Sequence, residues 1–499
     1  MKYIGPFFRM NSLSPEEICG QLFHFSKESM KTIVLNSRCG CVSQQKNSKK
    51  DSSLDKSGIM QKYSPLLCIY RKASPSFIHS KTSQGFDSST FRREINPTTN
   101  ALMTMSVLEL ADYYSKFKDS SKEKVLQEFF RDVSKEQLDF YYNNLRNNEG
   151  IFVTKKNVFS TGNKDAALID KNRKFIFSDQ AYMMVAYYVH SSTTDDVDTK
   201  NEFESFSNQI LQMFVDYKDA LYDLSFDEGC KTLLAFNIYY KHSKNDEILP
   251  LIIDLCEFLC SKFSEKDYYI DALDCCALFS INLIYSYEHT NLFTFKEKFD
   301  EIMQKLICLY NEDANIIQKL TDKKEIKYSS FDICFYFIAL ILYTAHTDKK
   351  HEHKNMISNI YKKYILNSGL ITSWPKPPTL DDTERYRGFT NLSKDMIDET
   401  FFSMPNLTTP DETGIAPIIL KNITYSLKKD KFDAPKKVFD SNKNMFILFL
   451  FMFVLKENFY DELGITEKNS DAENSIEDLK NDSSEYVEAE IVNNPTEVI

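Results

Sequence analysis

The sequence predicts a mainly all-α protein made of repeated helix hairpins, with a small α/β or irregular region in front of them. Three observations carry this expectation. Glycine is scarce, with 12 in 499 residues, whereas sheet-rich and doubly wound folds need it at turns and phosphate loops. Four apolar segments end alike, with tyrosine two or three residues ahead of a histidine and then Ser or Thr. Apolar segments also alternate with amphipathic ones along most of the chain.

The elements follow in order. In the region 1–97, Ser14-Pro15-Glu16-Glu17 reads as a capping box with proline in the first turn, predicting a helix toward Lys31. Thr32 to Leu35 and Leu66 to Tyr70 read as short strands, separated by a polar, lysine-rich linker over 43–62. From Asn96 the pattern becomes helical. Residues 99–147 hold a helix ending in Tyr113-Tyr114 and a second one announced by Ser134-x-x-Gln137.

The four best copies come next. They end in Tyr188-Val189-His190, Tyr240-Lys241-His242, Tyr287-Glu288-His289 and Tyr343-Thr344-Ala345-His346, with 52, 47 and 57 residues between successive histidines. An acidic helix start precedes each: Asp179, Asp227-Glu228, Asp271 and Asp332. Residues 411–460 read as a sixth hairpin, with an apolar helix through Tyr425 and another around Met445–Leu455. First helices such as Phe335 to Tyr343 are apolar on nearly every face, so other helices must enclose them; second helices such as Ile248 to Phe263 are amphipathic and belong outside. The helical body is expected over 98–463.

Six inner and six outer helices over about 96–460 resemble the (α/α)6 toroid of six-hairpin glycosidases, N-acylglucosamine 2-epimerase-like isomerases and several lyases. The resemblance lies in hairpin number and period, and no catalytic motif of those families is matched. It implies a closed ring and a carbohydrate-like ligand. An open α-solenoid of HEAT type, with ~40–47 residues per unit, is the alternative architecture.

Charge and composition exclude several classes. Net charge is −11, but 466–499 alone hold ten acidic residues and two lysines, so 464–499 reads as an acidic, disordered tail. Only ten arginines occur and no basic stripe, which argues against nucleic acid. The longest apolar run, Met445 to Leu455, is too short for a membrane span of about 20 residues. Eleven cysteines without regular spacing, Cys39-Gly40-Cys41 included, read as free thiols in a reducing, cytoplasmic setting. No phosphate loop, dinucleotide fingerprint or zinc spacing is present, so neither cofactor nor metal is expected.

Two candidate sites remain. If the inner helices run parallel, Asp179, Asp227, Glu228, Asp271 and Asp332 gather at one mouth of the ring, where paired carboxylates serve as general acid and base. The plainer account is that acidic residues cap helices and complement their dipoles. The loop from Gly369 to Gly414 carries the only tryptophan, Trp374, with Arg385, Arg387, Asp398 and Glu399. Trp374 suits a sugar face and the arginines an anion; the plainer account is a rigid plug. The four histidines, at helix C-termini, are expected to bond the last carbonyls and offset the dipole. The sequence therefore specifies no reaction. It points to a toroid binding or acting on a carbohydrate-like ligand, or alternatively to a non-catalytic helical-repeat scaffold for a partner protein.

Overall fold

In the computed structural model the described residues are 14–43, 64–73, 86, 90–116, 121–158, 167–319, 324–347, 353–375, 407–410 and 416–462. Among them, twelve helices carry the architecture: α1 (Pro15–Asn36), α2 (Pro97–Ser115), α3 (Ser121–Asn144), α4 (Phe177–Thr193), α5 (Val197–Asp216), α6 (Phe226–Ser243), α7 (Leu249–Glu265), α8 (Leu273–Thr290), α9 (Phe293–Cys308), α10 (Ser330–Ala345), α11 (Lys354–Ile360) and α12 (Ser441–Glu462).

The even-numbered helices touch in turn, α2 on α4, α4 on α6, α6 on α8, α8 on α10 and α10 on α12, and α12 returns to α2. That last contact closes the ring and excludes the open solenoid. Each inner helix has an odd-numbered partner: α3 on α2, α5 on α4, α7 on α6, α9 on α8, α11 on α10, and α1 on α12. The fold is an (α/α)6 toroid. The burial patterns follow from the sequence. In α10 every residue from Ser330 to Leu342 is buried, whereas α7 buries Leu251, Ile252, Leu255, Cys256, Leu259 and Phe263 on one stripe.

Three local expectations are corrected. Thr32 to Leu35 belong to α1, whose capping box at Ser14 and Glu17 is fully formed; burial on the ring outweighs the β preference of Thr-Ile-Val. The stretch through Tyr425 is a strand, not a helix, so the outer helix of the sixth pair is α1, from the other end of the chain. Ser134 lies inside α3 and donates to the Arg131 carbonyl instead of capping a helix.

Connections from inner to outer helices are short, as between α4 and α5 or α8 and α9. Of the connections from outer to inner helices, those before α2, α4, α10 and α12 are long and hold the strands, whereas those before α6 and α8 are short and hold the helical turns Lys218–Asp223 and Tyr268–Asp271. The strands include the hairpin Lys155–Val158 with Ala167–Asp170, and the strand Glu325–Ser329, which pairs antiparallel with Asn422–Ser426. In the latter strand Ile423 and Tyr425 are buried while Asn422 and Thr424 are only partly covered, a period of two that marks one packed face.

The ring has no open bore along α12. Phe446 reaches Tyr182 of α4 at 5.9 Å, and Phe453 reaches Tyr285 of α8 at 6.0 Å and His242 of α6 at 6.2 Å, all on helices that are not neighbours of α12 in the ring. Aromatic pairs of this kind contribute ~0.5–1.5 kcal/mol each beyond their burial.

Candidate functional site

A circuit of side-chain contacts joins the starts of the inner helices, which proves that they run parallel. Thr98 and Asn96 at α2 donate to Asp179 at α4 through the Thr98 amide (3.0 Å), the Thr98 hydroxyl (2.6 Å) and Asn96 Nδ2 (3.2 Å). The Ser178 amide at α4 donates to Glu228 Oε1 at α6 (2.8 Å). Cys275 at α8 donates its thiol hydrogen to Asp227 (3.6 Å). Asp274 at α8 is close enough to Asp332 at α10 for mutual repulsion. Lys443 at α12 donates to the Ser329 hydroxyl at α10 (3.1 Å), and Thr99 at α2 donates to Asn442 at α12 (2.8 Å). The long connections open at this same mouth, the usual place for function on a rigid scaffold.

The carboxylates here are not equivalent. Asp332 completes a capping box with Ser329 and pairs with Lys319 at 2.7 Å. Asp227 is half exposed and pairs with Lys231 at 2.5 Å. The Glu228 amide donates to the Ser225 hydroxyl, but its carboxylate reaches across to accept from α4 instead of closing a box. Asp179 differs from all of these. It is buried, its Oδ1 takes all three donors, and its Oδ2 has no partner among the described residues. Burial raises its pKa to about 6; the Thr98 bonds oppose that shift and the Glu228 charge adds to it. Burial also raises Asp274, with Asp332 adding repulsion, and lowers the Lys443 ammonium.

Two more buried polar atoms near this mouth lack partners among the described residues: the Tyr182 hydroxyl, one helical turn below Asp179, and the Ser330 hydroxyl in the first turn of α10. Sequence reasoning missed Asp274, Tyr182, Ser330 and Lys443. Asp274 was within reach, because it is the acidic residue in the first turn of α8. Asp271 instead ends a separate four-residue helix, Tyr268–Asp271, and its side chain lies outside the described residues. The other three carry no signal beyond their position in an inner helix.

Trp374 is fully buried with its indole stacked on Phe25 of α1 at 5.4 Å, so it offers no face to a sugar and packs as a core residue. Arg385, Arg387, Asp398 and Glu399 lie outside the described residues, as does 464–499.

The opposite mouth, where the inner helices end, has a cavity of about 410 Å³ lined by Glu109, Asp112, His242, Lys456 and Tyr460 among others. Its charges are matched: Lys456 pairs with Glu109 at 2.9 Å, Lys241 with Glu457 at 3.1 Å, and Tyr460 donates to Asp112 at 3.4 Å. The histidines end their helices at this face. Burial holds His190 down to about 4, His242 to about 3 and His289 to about 4, so these three rings are neutral at pH 7. The expected charge–dipole role is therefore left to His346, which Glu288 raises through a 2.7 Å contact. Backbone bonding holds as expected for His346, whose Nδ1 meets the Leu342 carbonyl at 2.8 Å. Among the described residues, no three metal-ligating side chains come together, and no helix is long and apolar enough to cross a membrane.

Fold and mouth thus define a closed (α/α)6 toroid with a polar face at the starts of its inner helices. No family model matches the chain, and no curated protein sequence does. Among solved structures it is similar to a D-mannose isomerase (9% identity, 79% of this chain and 91% of that one, TM-score 0.46). It is also similar to an endoglucanase from the termite Nasutitermes takasagoensis (12% identity, 89% and 99%, TM-score 0.45). A third is a GH76 alpha-mannanase from Bacteroides thetaiotaomicron (8% identity, 89% and 97%, TM-score 0.42).

Proposed function

We propose that the chain binds a neutral, carbohydrate-like ligand at the mouth formed by the inner-helix starts, with Asp179 as the proton-transferring group. The observation that carries this reading is the set of buried polar atoms without partners there: Asp179 Oδ2, Tyr182 Oη and Ser330 Oγ. Each such atom costs about 1–3 kcal/mol when left unsatisfied. A polyol supplies hydroxyl groups that both donate and accept, so it suits a carboxyl group and two hydroxyls together. A carboxyl with its pKa near 6 holds a proton in a useful fraction of molecules close to neutrality, which is what a general acid requires. Asp274, also raised, is the second candidate; Asp227, Glu228 and Asp332 shape the field around them.

A thermal-shift screen with neutral monosaccharides, uronates and sugar phosphates tests this. Neutral sugars are expected to raise the melting temperature of the wild type but not of Tyr182→Phe or Asp179→Asn. A screen in which no sugar acts on the wild type, or in which both variants respond fully, sinks the proposal.

The second reading is a helical-repeat scaffold for a partner protein. It is favoured by the aromatic fill along α12 and by the exposed Val197, Leu292 and Phe293 at the outer-helix starts. Partner binding lost on Phe293→Ser, together with a silent sugar screen, would select it.

A further inference from the structure

The Cys39-Gly40-Cys41 motif leads to a second site, away from the ring mouth. After α1 the chain forms a short strand β1 (Gly40–Val42), which pairs antiparallel with β2 (Leu66–Ile69). In that register Cys41 stands directly opposite Cys68. Directly opposed residues in an antiparallel pair have Cα atoms ~4.5–5.5 Å apart, inside the ~4.4–6.8 Å range that a disulfide spans. The two thiols are in hydrogen-bonding contact, and the Tyr70 hydroxyl lies 3.8 Å from the Cys41 sulfur. Gly40 is what permits the approach: a Cβ built there would lie 1.7 Å from the Cys68 carbonyl oxygen.

We propose that Cys41 and Cys68 form a modification site, a thiol pair that hydrogen peroxide closes into a cross-strand disulfide. Access assigns the order of events, because Cys41 is partly exposed and Cys68 is fully buried. The Cys68 thiol donates its hydrogen bond to Cys41 and holds that thiol down to about 7, so the accessible sulfur is the nucleophile at neutral pH. Cys39 is diagonal to Cys68, is buried, and is engaged by the Ser37 hydroxyl at 2.9 Å, while burial pushes its thiol up to about 12.

The chemistry balances. The Cys41 thiolate attacks one peroxide oxygen; the S–O bond forms, the O–O bond breaks, and hydroxide leaves and takes a proton as water. The Cys68 sulfur then attacks the Cys41 sulfenic acid. The S–S bond forms, the S–O bond breaks, and the departing hydroxide takes the Cys68 proton as a second water. Two thiols lose two electrons in all, and peroxide becomes two waters.

The staple would act close to the first inner helix. The Ile69 amide donates to Asn100 Oδ1 at 2.8 Å, Asn100 Nδ2 donates to the Asn96 carbonyl at 2.8 Å, and Gln137 of α3 donates to the Leu66 carbonyl at 2.8 Å.

The test treats the full chain with peroxide, blocks remaining thiols, and maps the digest by mass spectrometry. A Cys41–Cys68 linked peptide, about 2 Da lighter than its two thiol halves and separated by dithiothreitol, is the expected product. In Cys68→Ser the link should vanish and Cys41 should accumulate as a dimedone-reactive sulfenic acid; Cys39→Ser should leave the link intact. Recovery of Cys41 as a free thiol in treated wild type would overturn the proposal. So would a Cys39–Cys68 link as the main product, or the Cys41–Cys68 link forming equally fast in urea-unfolded chain, since the folded register would then play no part.

Discussion

Replacing Asp179 by Asn should stabilise the protein at neutral pH and leave it unchanged in acid. All three donors to Asp179 converge on Oδ1, and Oδ2 has no partner among the described residues. An asparagine can keep Oδ1 as acceptor and place its amide nitrogen where Oδ2 stood, so the substitution removes the charge and little else. Burial raises the carboxyl pKa from 3.8 to about 6. Between about pH 4 and 6 the native state therefore binds more protons than the unfolded chain. A raised carboxyl makes stability fall as pH climbs through that window and then level off above it. A rise from 3.8 to about 6 corresponds to ~3 kcal/mol. With an unfolding entropy of ~2.1 cal/mol/K per residue, that is a shift of roughly 3 °C for a chain of this length.

Melting curves of wild type and Asp179→Asn from pH 4 to 8 provide the assay. The difference in melting temperature should be near zero at pH 4, grow through pH 5 and 6, and plateau by pH 7. A variant less stable than wild type by the same amount at every pH would refute the reasoning. It would show that the ionised carboxylate is needed as an acceptor and is not a strained charge held at the mouth. If Asp179 also moves protons, the stabilised variant should lose sugar response or turnover, the expected exchange between stability and activity.

Trp374→Ala should cost ~3–5 kcal/mol of stability by emptying a buried site against Phe25, and differential scanning calorimetry reads the loss. His242→Gln and His289→Gln should preserve any binding found and blunt the loss of stability in acid. A histidine lowered on folding contributes stability above pH 6.5 that disappears as pH falls toward its folded value, so the variants should melt closer to their neutral-pH temperature at pH 5 than wild type does. Truncation after Leu463 should leave the melting temperature nearly unchanged, because α12 ends at Glu462; a drop of several degrees would show that the tail docks on the ring.

Much of the ring was legible because its signals are local. The acidic starts and Tyr–His endings mark where inner helices begin and end, and Ser14 with Glu17 specifies a cap within four residues. What was not legible depends on partners far away in sequence. Nothing local in Pro15–Asn36 says that it covers a helix more than 400 positions later, and the β-branched run Thr32-Ile33-Val34 points the other way. The alternation at Ile423 and Tyr425 marks a strand only once Glu325–Ser329 is known to lie beside it. At the site, carboxylates could be nominated from helix-start positions. Their inequality could not, because it depends on which neighbour occupies each oxygen: Lys319 on Asp332, Lys231 on Asp227, Ser178 on Glu228.

That inequality ties the two faces of the ring together. The face where inner helices end matches its charges, Lys456 with Glu109 and Lys241 with Glu457, and keeps three histidines neutral. On that face both ring nitrogens of the buried His190 also lack partners among the described residues. The face where they start gathers six positive helix ends, which alone would favour ionised carboxylates, yet burial overrides this at Asp179 and Asp274 and pushes both pKa values upward. A protein selected for stability alone would fill such a site with an amide or an apolar residue. A buried acid oxygen one turn above a buried tyrosine hydroxyl, both without partners among the described residues, is an arrangement that a bound polyol would stabilise.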